Sequence, residues 1–336
     1  MCYELEMALE GGALAGAVIG GIIGSLLLVG LLLFLLRLWM QGPRCRSSAR
    51  LDGKVVVITG ANTGIGKVCA LELSRRGAKV VMLCRSTERG EAAAEEIRKE
   101  TQGEVIVHKM DLASLASVRA CAEQLGNSLE KIDILLNNAG IMAPPKSLTE
   151  DGFESQIGTN HFGHFLLTNL LMPLIKRAAP GARIVNVSSL AHEQGTINWD
   201  DINYDKTSYN AITAYSQSKL ANVLFTRELA RKGEGSGVNA YALHPGVIAT
   251  DLGRSIGDTF GPLGTAIMAC SRPFIKTAES GAQTSLYCCL DEGLADQSGK
   301  YYSDCREKRP SARARSDDDA KRLWQLSENL TKLNES

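Results

Sequence analysis

The feature that most constrains this chain is an apolar run near its start. From Gly11 to Leu36 the sequence carries no Asp, Glu, Lys or Arg. A helix of that length would rise beyond the roughly 30 Å hydrocarbon core of a bilayer. Acidic residues precede the run, whereas a cleaved secretory signal begins with positive charge and has a shorter apolar core. The run therefore predicts a retained transmembrane anchor over residues 1–40.

The charges that flank the run predict its orientation. Four arginines follow it, at Arg37, Arg44, Arg46 and Arg50. Because an excess of Lys and Arg stays on the cytoplasmic side, the rest of the chain is expected in the cytosol and the N-terminus in a lumen. Residues 41–50 are interpreted as a basic linker, and residues 51–336 as the globular domain.

Glycines recur at every fourth position inside the run, at Gly12, Gly16, Gly20 and Gly24. Such spacing lets a second helix approach closely, which would allow a homodimer through this face. Glycine is also common in membrane helices in general, so the pattern leaves both interpretations open.

Composition argues against two other classes of protein. Lys plus Arg (37) equals Asp plus Glu (37), and only 5% of residues are aromatic, so neither a basic surface nor stacking side chains favour nucleic-acid binding. The 9 cysteines include no C-x-x-C pair, which favours neither a disulfide framework nor a metal site. His161 and His164 have no acidic or sulfur partner nearby, and we expect them to serve in packing or hydrogen bonding.

Beyond the linker, short β-branched runs alternate with longer helical patterns. This alternation predicts an α/β fold, a doubly wound parallel sheet of the Rossmann type in one domain. A Ser followed by three Asp at Ser316 predicts the start of a C-terminal helix. The predicted strands are Lys54–Thr59, Lys79–Cys84, Glu104–Lys109, Ile132–Leu136, Arg183–Val187 and Val238–Leu243.

A glycine-rich turn follows the first predicted strand and leads directly into a helix. Glycines at this point permit a tight turn and a close approach of the backbone to a pyrophosphate at the helix N-terminus. The spacing is G-x-x-x-G-x-G rather than G-x-G-x-x-G. The candidate cofactor-binding residues of this turn are Gly60, Asn62, Thr63, Gly64, Ile65 and Gly66.

The end of the second strand predicts which dinucleotide binds. Where an NAD enzyme usually carries Asp or Glu, this chain has Cys84 and then Arg85. Arginine can grip a 2′-phosphate with bidentate hydrogen bonds, so the pair favours NADP(H). Lys67 could add to this charge, although an ordinary surface role is the simpler interpretation for it.

Further polar turns follow the third and fourth strands. The carboxyl ends of parallel strands are where open sheets bind ligands, so Asp111, Asn138, Ala139 and Gly140 are candidates for contacts with the adenine and the nicotinamide ribose. Asn, Asp and Gly are also the usual turn residues, and that alternative stays open.

Tyr215 and Lys219 form the candidate catalytic pair. Four residues apart on a predicted helix, they are neighbours. A phenol has a pKa near 10, and a positive charge about 4 Å away contributes roughly 1 to 4 kcal/mol, so we expect Lys219 to lower the pKa of Tyr215. Tyr215 could then act as the acid. Ser188 and Ser189 end the fifth strand, where a hydroxyl can orient a substrate oxygen.

In order and context, these motifs resemble the short-chain dehydrogenase/reductase family over about residues 52–305. The resemblance implies that Tyr215 is the acid/base, that Lys219 binds the ribose, that Ser189 orients the substrate and that Asn160 holds a proton-relay water. It also implies cofactor contacts from Pro245, Gly246 and Thr250. One departure is that Ser189 lies 26 residues before Tyr215, about twice the usual separation in this family.

The longer segment before Tyr215, the anchor and the C-terminal Leu-Trp helix resemble the microsomal retinol dehydrogenase branch. That implies an endoplasmic reticulum enzyme in contact with membrane lipid, which reduces retinal to retinol with NADPH. Apolar residues within 247–278 suggest a lid over a lipophilic carbonyl or alcohol substrate. Other lipid aldehydes, steroids, or a non-catalytic NADP-binding scaffold are the alternatives.

Overall fold

The computed structural model describes residues 2–248, 259, 261 and 275–335. The chain divides into two compact units, Met1–Gly42 and Pro43–Ser336. Each unit is described by itself.

The first unit is a single helix, α1, which spans Cys2–Met40. Its segment Ile19–Met40 has a mean hydropathy of 2.7, and none of it is buried within the unit. A helix of this length and composition can cross a bilayer, as the sequence predicts.

The second unit contains an eight-stranded sheet of order β3-β2-β1-β4-β5-β6-β7-β8. All neighbouring pairs are parallel except the last, in which β8 runs antiparallel to β7. Strands β2 and β3 are added on one side of β1, and the strands from β4 onward are added on its other side. Doubly wound folds bind ligands at the point between these two halves, here between β1 and β4. The strands are β1 Val55–Thr59, β2 Lys79–Cys84, β3 Val105–Lys109, β4 Ile134–Asn137, β5 Ala182–Val187, β6 Val238–Leu243, β7 Tyr301–Ser303 and β8 Arg306–Glu307.

The predicted doubly wound parallel sheet is confirmed, and the six predicted strands are present within two residues of their predicted bounds. The two strands that the sequence pattern missed, β7 and β8, have three and two residues. Segments this short show neither alternation nor an apolar run.

Helices cover both faces of the sheet and bury their apolar sides in two separate clusters. Because an apolar layer covers each face of the sheet, side chains on both sides of β1 and β4 are buried. The sequences of these two strands are therefore nearly continuous apolar runs. The helices of this unit are α2 Gly64–Arg75, α3 Thr87–Thr101, α4 Leu115–Ser128, α5 Ser155–Ile157, α6 Gly163–Lys176, α7 Ala211–Lys232, α8 Ala278–Leu290 and α9 Asp317–Leu330, with a π-helical turn at Gly158–Phe162 between α5 and α6.

The C-terminal helix α9 begins where the sequence predicts. The Ser316 hydroxyl accepts a hydrogen bond from the backbone N–H of Asp319, and three aspartates in the first turn suit the positive end of the helix dipole. Trp324 then packs edge-on against Phe165 of α6 and lies next to Phe225 of α7. The helix therefore completes the apolar layer on one face of the sheet.

The stretch interpreted as a linker is bound to the body of the second unit from Cys45 onward. The backbone N–H of Cys45 donates to Gln283 at 3.0 Å, the Ser47 hydroxyl donates to the Leu290 carbonyl at 3.1 Å, and Arg76 donates to the Ser47 carbonyl at 2.8 Å. The sequence predicted a linker here but could not reveal these hydrogen bonds, because their partners are distant in sequence.

Candidate active site

A cavity of about 570 Å³ lies along the carboxyl ends of the parallel strands. Most of the residues singled out from the sequence line it, although they come from segments that are far apart in the chain. They are Gly60, Asn62, Thr63, Gly64, Ile65, Arg85, Asp111, Asn138, Ala139, Gly140, Ser189, Tyr215, Lys219, Pro245 and Gly246.

Three candidates are placed differently. Gly66 and Asn160 do not line the cavity but lie behind its wall. Thr250 lies outside the described residues, as does most of the segment expected to form a lid.

The glycine turn after β1 has the geometry that a pyrophosphate cradle needs. Gly60 and Gly64 have φ angles of +64° and +56°, which favour glycine. A Cβ atom on Gly66 would lie 2.3 Å from the Gly60 carbonyl oxygen, so Gly66 allows α2 to pack closely on the turn. The side chain of Asn138 braces the turn from β4 by donating to the Thr59 carbonyl at 2.9 Å.

Two arginines line the end of the cavity beyond β2. Arg85 follows the strand directly, and Arg89 lies in the first turn of α3, whose N-cap is Ser86. Arg89 was missed because a single arginine on a polar helix looks like ordinary surface charge. Lys67, in contrast, does not line the cavity and forms an ion pair with Glu96 at 2.5 Å. The simpler interpretation of Lys67 is therefore the right one.

Asp111 combines the two roles that the sequence left open. Its carboxylate accepts a hydrogen bond from the Ala113 N–H at 2.9 Å, as turn chemistry requires. It also lines the cavity.

Tyr215 lies in the second turn of α7, which begins after the N-cap Asn210. The ring is buried, and a side-chain hydrogen bond joins its phenol to Ser189. Ser188 has a different partner, because its hydroxyl donates to the Lys219 carbonyl at 2.6 Å. Of the two serines, Ser189 is therefore the one whose hydroxyl faces the phenol.

The prediction that Lys219 lowers the pKa of Tyr215 is wrong for the protein without ligands. Burial raises the pKa of Tyr215 to about 12, and the hydrogen bond with Ser189 offsets only part of this. The Lys219 ammonium lies 5.7 Å from the centre of the ring, and burial lowers the pKa of Lys219 to about 8. Desolvation acts on both groups and outweighs their interaction.

Asn160 lies in the π-helical turn, a feature often found at functional sites. Its side-chain oxygen accepts from the Ile141 N–H at 2.9 Å, and its amide donates to the Ile141 carbonyl and to Ser218. A Cβ atom on Gly140 would be 3.2 Å from that oxygen and 3.4 Å from the Lys219 ammonium. Asn160 therefore lies directly behind the part of the wall that Gly140 forms, close to Lys219.

One end of the cavity is apolar, and its residues were not singled out from the sequence. Ile141, Met142 and Pro144 line it, together with Leu190 and Val247. Leu190 and Val247 are 43% and 65% exposed, so this part of the lining offers apolar surface to a ligand. No periodic pattern could reveal them, because they come from three different loops.

Comparisons with known proteins identify the family of the chain. A model of the short chain dehydrogenase family matches residues 54–260. Human retinol dehydrogenase 12 is 50% identical over 87% of this chain and 90% of its own length, and human retinol dehydrogenase 13 is 48% identical over 89% and 91%. The expected resemblance to the retinol dehydrogenase branch is thus confirmed.

Solved structures give the same result for the fold. An uncharacterized protein from Mycobacterium paratuberculosis superposes with a TM-score of 0.69 and 40% identity, over 87% of this chain and 98% of that one. An NADP complex of RhlG from Pseudomonas aeruginosa superposes with a TM-score of 0.60 and 26% identity, over 75% of this chain and 94% of that one.

Proposed function

Because the chain belongs to the short-chain dehydrogenase family, we propose that it is an NADP(H)-dependent oxidoreductase whose main reaction is the reduction of retinal to retinol. The observation that carries the proposal is the meeting of Ser189, Tyr215 and Lys219 in one cavity, between an arginine-lined end and an apolar end. The family and the enzyme class are established by similarity, and the residue roles below are our assignment.

The residues of the cavity fit a bound NADP(H). A side chain at Gly60 would lie 2.9 Å from the Cβ atom of Ala139, so the two turns form a narrow cradle that only glycine allows. At the far end, Arg85 and Arg89 have no acidic partner among the described residues and suit a 2′-phosphate. When bound, the reduced nicotinamide supplies the hydride to the carbonyl carbon.

The protein's own residues would manage the proton. The Tyr215 hydroxyl donates its proton to the substrate oxygen, and Ser189 donates a hydrogen bond that fixes the position of that oxygen. A pKa of about 12 keeps Tyr215 protonated at neutral pH, which suits an acid in the reductive direction. Lys219, held by its hydrogen bond to the Val187 carbonyl at 3.2 Å, would bind the ribose and stabilise the phenolate that remains.

A retinoid suits the apolar end of the cavity. The relatives reported above are retinol dehydrogenases by name, and a chain with a membrane-spanning helix meets substrates that dissolve in lipid. We propose that the anchor lies in the endoplasmic reticulum membrane and that the catalytic unit is in the cytosol. We also propose that the glycine face of α1 is a surface for a homodimer. Residues 41–50 would connect the two units.

The substrate assignment is tested with membranes that carry the full chain. We expect all-trans-retinal to be reduced much faster with NADPH than with NADH. Turnover of other lipid aldehydes or steroids without retinal would contradict the retinoid assignment alone, whereas no turnover of any carbonyl would contradict the enzyme assignment.

The coenzyme assignment is tested with Arg85→Asp, because a carboxylate at this position would repel a 2′-phosphate. We expect the preference for NADPH, measured as the ratio of kcat/KM values, to fall by about tenfold or more, the effect of at least 1.4 kcal/mol from a lost charge-assisted contact. Lys99→Asp is the matched control, since it makes the same charge change at the other end of α3, where Lys99 pairs with Glu95. An equal effect of both variants would remove Arg85 from this role.

A further inference from the structure

Two histidines that the reaction does not use lie three residues apart and are both completely buried, His161 in the π-helical turn and His164 in α6. The imidazole of His161 hydrogen-bonds to the Ser327 hydroxyl of α9 at 2.8 Å. His164 points instead toward the cofactor side of the sheet, where its Nε2 atom lies 2.9 Å from the Thr59 hydroxyl.

The protonation of His164 follows from the bonds that Thr59 makes. The Thr59 hydroxyl accepts the backbone N–H groups of Asn138 and Ala139, each at 2.9 Å. A hydroxyl has two lone pairs and one proton, so its proton must be donated to Nε2 of His164. The ring proton of His164 is then on Nδ1, and it donates to the Asn160 carbonyl at 3.0 Å.

Thr59, His164 and Asn160 thus form a chain of hydrogen bonds, the relay, in which each bond has a fixed donor and a fixed acceptor. A second ring proton on Nε2 would point at a hydroxyl oxygen that has no free lone pair. Burial, together with the nearby positive charge of Lys219, also lowers the pKa of His164 to about 4. The ring is therefore a neutral and rigid connection.

The two ends of the relay are parts of the candidate active site. At one end, Thr59 holds the turn of Asn138 and Ala139, which forms one side of the cofactor cradle. At the other end is Asn160, whose side chain lies behind Gly140 and close to Lys219. His164 thus connects the turn after β1, the turn of Asn138 and Ala139, and the region around Lys219, and it fixes their positions relative to one another.

We propose that His164 is a positioning residue, which as the neutral Nδ1–H tautomer fixes Asn160 behind Gly140, close to Lys219, and couples it to the cofactor-binding turns. The proposal rests on the proposed function for its effect on rate. A shift of the groups around Lys219 and the cradle would slow the reaction without removing any group that touches the substrate.

The test compares His164→Leu with His161→Leu in the full chain in detergent. Both variants replace a fully buried imidazole by an apolar side chain and leave a hydroxyl without its partner, so both are expected to lower Tm. Only His164→Leu is expected to lower kcat by about tenfold or more and to weaken NADPH binding, because only His164 bonds both to Thr59, which holds the turn of Asn138 and Ala139, and to Asn160. His164→Gln, which keeps a donor and an acceptor, should recover part of the loss.

Equal losses of kcat in the two leucine variants, or an unchanged kcat in His164→Leu, would overturn the proposal. ¹⁵N NMR of the 5 histidines in the wild-type chain gives a readout that needs no variant. We expect the His164 imidazole to have a protonated Nδ1 and an unprotonated Nε2, unchanged between about pH 5.5 and 8. A His164 ring with its proton on Nε2, or one that titrates in this range, would contradict the relay.

The outcomes separate this proposal from the proposed function. If the wild-type chain reduces no carbonyl, the proposed function fails, while the tautomer and the response of NADPH affinity to His164→Leu still decide whether the coupling exists. If the wild-type chain is active and His164→Leu behaves like His161→Leu, only the coupling fails.

Discussion

At the scale of single residues, burial governs the chemistry of the catalytic pair. Tyr215 and Lys219 are both almost completely buried, and desolvation raises the pKa of the phenol and lowers that of the ammonium. Each group is thereby moved toward its neutral form. The pair is arranged to keep a proton on Tyr215, whereas the sequence suggested that Lys219 would lower the pKa of Tyr215.

These pKa shifts predict a pH profile. Lys219 is charged below a pH of about 8 and becomes neutral above it, whereas Tyr215, with a pKa of about 12, stays protonated throughout this range. The kcat/KM for carbonyl reduction should therefore fall as the pH rises through about 8. The residual activity of Lys219→Arg should lack this fall, because a guanidinium stays charged. A wild-type profile that is flat up to pH 10 would contradict the assignment.

Residue types and order along the chain were enough to predict that Tyr215 and Arg85 belong to the site, and both line the cavity. Sequence could not identify Arg89, because its meaning depends on which side of α3 faces the cavity. The choice between Ser188 and Ser189 needed the structure as well, since adjacent residues at a strand end differ only in direction. The relay through His164 joins Thr59 and Asn160, which are about a hundred residues apart in the chain.

At the scale of elements, the close packing of α2 on the turn after β1 is the most demanding contact of the cofactor site. A methyl group at Gly66 would overlap the backbone at the Gly60 carbonyl, and backbone atoms cannot move as easily as the end of a side chain.

Gly66→Ala should therefore destabilise the fold and weaken NADPH binding. We expect a loss of about 1–3 kcal/mol in the free energy of unfolding, typical of overpacking, measured by urea denaturation in detergent. Gly126→Ala in α4 is the matched control. Nothing lies within 4 Å of a Cβ atom there, and alanine favours the helix by about 0.5–1 kcal/mol. Equal stability of Gly66→Ala and the wild type would mean that the turn is not closely packed.

The elements were predictable to the extent that they are long and periodic. Strands β1 to β6 and helix α9 show β-branched runs, an N-cap serine and an amphipathic pattern. Strand β7 is held by its pairing with β6 and β8 and by the apolar layers around it, and such tertiary pairing cannot be recognised in a sequence of three residues. The binding of residues 45–47 to α8 was hidden for the same reason.

At the scale of the whole molecule, the chain joins a helix that can span a bilayer to a dehydrogenase unit. The proposed cofactor cradle, the proposed proton donor and the apolar end of the cavity all belong to the second unit, Pro43–Ser336. The chemistry is therefore expected to need only that unit, whereas access to a lipid-soluble substrate would depend on the anchor.

The most direct test of the central claim is the rate at which the full chain, in membranes, converts all-trans-retinal to retinol with NADPH, compared between the wild type and Tyr215→Phe. The variant keeps the ring and its packing but has no proton to donate. The account predicts NADPH-dependent retinol formation by the wild type and a loss of at least about 100-fold in the variant, with NADPH binding retained. Equal rates in the two proteins would contradict it.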